Sequence, residues 1–147
     1  MTRDEYIKEV SAVLEAHREQ AASKLLAALA LVPPKAVQIT LDVSVDQGGE
    51  GFLSVRVGLD GPYLYVLGKA IAPHAQLFNT RMTESGLTPP LPLMDAFEEE
   101  FSVQDALTDC AASWIASIWK QLSPRLGLPV YVQSPEGYGT STPIKLN

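Results

Sequence analysis

The sequence predicts an α+β fold, a five-stranded antiparallel sheet with two long helices packed on one face. Three observations carry that expectation. Two long stretches repeat apolar residues at helical spacing, one from Tyr6 and one from Val103. Several shorter segments alternate apolar and polar residues at period two, as half-buried strands do. The strands follow one another as sequence neighbours instead of alternating with helices, which favours hairpins over parallel βαβ units. The chain has 147 residues, so one domain over 1–147 is expected, and at this length roughly two-thirds of the unfolded surface is buried on folding.

The first helix is announced by Thr2-Arg3-Asp4-Glu5, a capping box in which Thr2 and Glu5 exchange hydrogen bonds. On a helical wheel Tyr6, Val10, Leu14, His17, Ala21, Leu25, Ala28 and Val32 fall in one apolar band. Glu5, Glu9, Glu15 and Glu19 take the opposite face. Pro33-Pro34 must end the helix, because proline lacks an amide and disfavours helix at the residue before it. A straight helix of that length reaches about 45 Å, long for such a domain, so a break near Ala22-Ser23 is expected.

Val37, Ile39, Leu41, Val43 and Val45 alternate with polar residues and form the clearest strand. The run from Asp46 to Gly51 is turn chemistry, with glycines for positive φ. Leu53, Val55, Val57 and Leu59 complete an antiparallel hairpin, with Arg56 on its wet face near Asp42 or Asp46 as a cross-strand charge pair. After the turn Asp60-Gly61-Pro62, Tyr63 to Leu67 reads as a third strand, apolar on both sides. Residues 70–100 show weaker periodicity, with a short helix expected around His74 to Met82 and a covering or functional loop elsewhere.

Ser102 caps the second long helix. Its stripe contains Val103, Leu107, Cys110, Ala111, Trp114, Ile115, Ile118 and Leu122, and Trp119 lies just outside. Asp105, Asp109, Ala112 and Lys120 lie on the far side. Ser123-Pro124 ends it. Val130 to Val132 and Ile144 to Leu146 then flank a long loop as a terminal hairpin.

Seventeen acids against eleven bases leave a formal net charge of -6. Nucleic acid and anionic membrane both reward clustered Lys and Arg, so neither is an expected partner. One cysteine excludes an internal disulfide, and the charged start Thr2 to Tyr6 is unlike a secretory signal. A cytoplasmic location is the expectation that follows.

Several chemistries lack their motifs. There is no nucleophile elbow, no phosphate loop and no dinucleotide fingerprint. No cofactor is indicated. Two histidines, His17 and His74, with a single Cys110 do not make a usual zinc site. The run Asp46 to Gly51 half resembles a calcium loop, but its twelfth position is Val57 where a bidentate glutamate belongs. His17 is expected as a core histidine bonded to a backbone carbonyl, and Cys110 as a small buried hydrophobe. Asp95, Glu98, Glu99 and Glu100 cluster before the second helix, where acids meet its positive end.

Three function classes remain, one of them a ligand-carrying domain with an apolar cavity between helices and sheet. The first is a non-catalytic protein-binding module of chaperone- or immunity-like character, binding a protein partner or a second copy of itself. Its interface candidates are Tyr63, Tyr65 and Trp119, because exposed aromatics mark interfaces. Its acidity would steer it toward basic partners. The order helix, three strands, helix, two strands resembles the type III secretion chaperone and related dimeric folds in element order alone, without their final helix. No functional residue carries over from that resemblance. The second class is a small enzyme or anion-binding domain. Its candidates are His74 as acid or base, Arg81 as an anion clamp, and Asp95 and Asp109 as carboxylates.

Overall fold

A computed structural model describes residues 1–95 and 100–147. The capping box forms as expected. The Thr2 hydroxyl accepts from the Glu5 amide, and Glu5 accepts from the Thr2 amide. Helix α1 spans Arg3–Ala16 and α2 spans Arg18–Ala30. The single long helix is therefore two, and the break falls at His17 instead of Ala22-Ser23. His17 leaves helical geometry, and its Nδ1 lies 2.9 Å from the Val13 carbonyl oxygen. Its ring meets the Phe78 ring edge-on at 5.4 Å, and Phe78 meets Trp114 at 5.9 Å. The half-buried histidine thus bonds a backbone carbonyl, as expected, while anchoring the corner between the two helices.

Strands β1 (Gln38–Val45) and β2 (Leu53–Asp60) pair antiparallel as expected, with Val43 opposite Val55 and Leu41 opposite Val57. Asp42 does stand opposite Arg56, but the expected charge pair is not made. Asp42 instead accepts from Gln133 Nε2 at 2.7 Å, while Arg56 donates to Gln76 Oε1. The hairpin turn is organised by Asp46, whose carboxylate accepts the amides of Glu50, Gly51 and Phe52. Gly51 has φ +119, and a Cβ there would sit 2.6 Å from the Pro92 carbonyl oxygen.

The expected third strand is a helix. Helix α3 spans Leu64–Ile71 and a 3-10 turn continues through Ala72–His74. Residues 63–67 have strand propensity, but a strand there would have needed cover on both faces. The helix buries Leu67 and Ile71, and Ala75 follows at the same spacing of four. The expected helix around His74 to Met82 is mostly strand. β3 (Gln76–Asn79) pairs with β2, and β4 (Arg81–Thr83) forms a separate hairpin with β5 (Gly86–Thr88). The Gln76 amide fastens β3 by donating to Ser54 Oγ and to the Phe78 carbonyl.

Helix α4 spans Val103–Leu122, and Ser102 Oγ accepts from the Asp105 amide, as its sequence predicts. Strands β6 (Val130–Gln133) and β7 (Ile144–Lys145) form the expected terminal hairpin. The sheet order is β3-β2-β1-β6-β7. All its pairs are antiparallel except one: β1 and β6 run parallel, Ile39 opposite Val130 and Leu41 opposite Val132. The purely antiparallel sheet is thus corrected to a mixed one. With β2 on one side of β1, the other side is open to β6. Helix α4 packs on β1 and β6, and brings the chain back to the end where β1 begins. The Pro129 carbonyl accepts from the Ile39 amide at that point.

The core lies between the sheet and the helices. Helix α4 contacts β1, β6 and α1, while α2 covers β3. A helix held on two sides buries more than a one-sided stripe. Ala112 and Trp119, expected on or toward the polar side, are both buried. Arg18 ties the α1–α2 corner to α4, donating to Glu15, Gln121 and Ser117. Among the described residues, no helix is long and apolar enough to cross a membrane.

Candidate functional site: an apolar surface at the start of α3

Four consecutive large residues stand in solvent at the start of α3. Tyr63 is 71% exposed, Leu64 59%, Tyr65 79% and Val66 63%. Their exposure follows from the helix itself. Its buried positions are Leu67 and Ile71, so the first turn projects beyond the core. Val37, 56% exposed, adjoins them, since its amide donates to the Asp60 carbonyl at the root of the same turn. Single exposed apolar residues are ordinary, but a contiguous group of large ones marks an interaction surface.

The approach to this helix is tightly built. Gly61 has φ +145, and a Cβ there would lie 2.8 Å from the Lys35 carbonyl oxygen and 3.1 Å from Leu67 Cδ1. Tyr63 itself is left-handed, with φ 60 and ψ 57. For a residue with a Cβ this costs about 1–2 kcal/mol. The ring recovers none of it by burial. Backbone strain of this kind tends to collect at functional positions. Two lysines lie against the rings: Lys35 Nζ is 5.4 Å from the Tyr63 centroid and Lys69 Nζ is 6.0 Å from that of Tyr65. In a chain of net charge -6, the apolar surface thus has two lysines against its rings, with the exposed Asp60 at the root of the turn.

The third interface candidate, Trp119, belongs elsewhere. It is only 4% exposed and packs in the core. The two tyrosines therefore stand without it, and their neighbours are Leu64, Val66 and Val37. Exposure of Val66 was not legible from alternation, because that reading assumed a strand.

The residues of the second function class are spread over separate elements. His74 is half-buried in the 3-10 turn, Arg81 is exposed on β4, Asp95 is exposed in the segment before α4, and Asp109 lies on α4. No hydrogen bond or ion pair joins His74, Arg81 and Asp109. Asp109 has a structural occupation. It accepts from the amides and hydroxyls of Thr140 and Ser141, at 2.7–3.1 Å. Burial pushes its carboxyl up, but these hydrogen bonds outweigh that and hold it below the usual range. Asp105 adds a bond from the Gly139 amide. Together they pin the β6–β7 loop onto α4, a role whose spacing across 34 residues left no local signal in the sequence.

Cys110 is half-buried in a 330 Å³ groove between α1 and α4. Burial pushes its thiol up, which suits a packing role better than a nucleophilic one. Among the described residues, no three His, Cys, Asp or Glu side chains are grouped as a metal site. Of the acidic run before α4, Glu98 and Glu99 lie outside the described residues.

A family model described as a family of unknown function (DUF6389) matches residues 1–147. The chain belongs to that family. Neither the curated proteins nor the solved structures contain a match.

Proposed function

We propose that the protein is a non-catalytic binding module that holds a protein partner on the α3 surface. The observation that carries this reading is the exposed run Tyr63 to Val66, held on a strained turn with two lysines against its rings. Tyrosines supply large contact area with few rotatable bonds, as interface anchors do. The lysines favour a partner that sets carboxylates around an apolar centre, even though the chain as a whole is acidic.

The test replaces Val66 with a photo-crosslinking amino acid in the full-length protein in its own cells. A discrete heterologous adduct is expected. It should disappear when Tyr65→Ala is added and weaken with Lys35→Glu plus Lys69→Glu. An adduct with the mass of two copies, or no adduct above background, contradicts the proposal.

A further inference from the structure

At the far edge of the sheet from α3, strand β7 is unpaired on its outer side. The Leu146 amide donates to the Val130 carbonyl oxygen at 2.9 Å. In an antiparallel pair, neighbouring residues point their backbone groups in opposite directions. The amide and carbonyl of Lys145 therefore face away from β6, toward open space. Ile144 stands opposite the buried Val132, so its side chain lies on the helix-covered side of the sheet.

Between this edge and α4 runs a groove of about 550 Å³. Trp119, Ile144 and Leu146 contribute apolar lining, and Lys120 of α4 stands at its border. No acidic side chain lines the groove. The sole ion pair among the described residues joins Arg18 to Glu15, so Lys120 and Lys145 have no acidic partner. A free backbone amide and carbonyl beside an apolar channel is the arrangement by which sheets accept an added strand.

We propose that the edge of β7 receives a short extended segment of another protein, acidic and apolar in alternation, as a sixth strand seated against α4. Its backbone pairs with the Lys145 amide and carbonyl. Its apolar side chains enter the groove over Ile144 and Leu146, and its carboxylates, on the other face of the added strand, meet Lys145. The segment is short because β7 has two residues and Pro143 offers no amide beyond them. This site is independent of the α3 surface.

The test titrates the isotope-labelled full chain with the capped peptide Ac-EVEVE-NH2 and follows amide resonances. Saturable shifts are expected at Lys145 and its neighbours and along the last two turns of α4. Lys145→Glu should weaken binding about tenfold, the usual scale for one charge-assisted contact. Methylation of the peptide's central backbone nitrogen should abolish it. Equal binding by Ac-KVKVK-NH2, equal binding by the methylated peptide, or no saturable shift at Lys145 overturns the proposal. Tighter occupation of the groove by decanoate than by the peptide overturns it as well, in favour of a small amphiphile.

Discussion

Two aspartates show how differently this chain uses the same side chain. Asp109 fastens the β6–β7 loop by four hydrogen bonds. Its removal by Asp109→Ala is expected to cost about 2 kcal/mol, because two backbone amides and two hydroxyls lose their acceptor. Hydrogen exchange at Thr140 and Ser141 should rise in the same variant. Since its carboxyl titrates below the usual value, the stability it contributes is present above about pH 4 and lost as pH falls through the lowered value. Denaturant unfolding at pH 7 and pH 3 should therefore show the variant's deficit shrinking in acid.

Asp42 has the opposite sign. Partial burial is the main cause that raises its carboxyl, with Asp60 and Glu136 adding repulsion, against bonds from Gln133 and Thr40. Ionising it therefore opposes folding, increasingly as pH rises from the ordinary carboxylate value through the raised one. Asp42→Asn keeps an oxygen for Gln133 and removes the charge. It is expected to be more stable than the parent at pH 7 and to lose that advantage near pH 3, as read by paired unfolding curves.

At the scale of elements, α1, the β1–β2 hairpin, α4 and the terminal hairpin were legible because each carries a local signature. Thr2 and Ser102 cap their helices, and Ile39 to Val45 alternate without interruption. Helix α3 was not legible. Tyr63, Tyr65 and Val66 favour strands, and the decisive spacing of Leu67, Ile71 and Ala75 lies mostly downstream of them. Tertiary burial selected the period that local propensity did not. Gly68 tests this directly. A Cβ there meets nothing within 4 Å, and its φ is not left-handed. Gly68→Ala should stabilise the chain by about 0.5–1 kcal/mol, the ordinary helical gain, measured as a raised melting temperature. A loss of stability would argue against the helix.

For the whole molecule, the parallel β1–β6 pair is not visible in the sequence, because order along the chain does not fix which strands meet in the sheet. Pairing across 91 residues depends on where α4 delivers β6. The same limit hid the fate of Trp119, whose burial follows from α4 being held between the sheet and α1. Outside that packing lie, with other exposed residues, the α3 surface at one side of the sheet and the β7 edge at the other. Both leave apolar or backbone groups to solvent that the fold itself does not use.

The claim that the α3 tyrosines serve a partner and not the fold is open to one direct measurement. It is the unfolding free energy of the Tyr63→Ser, Tyr65→Ser double variant. Both rings are exposed, so the value should stay within about 0.5 kcal/mol of the parent. A loss of about 2 kcal/mol or more would show that the rings are covered by the protein itself, and the binding surface would be lost with them.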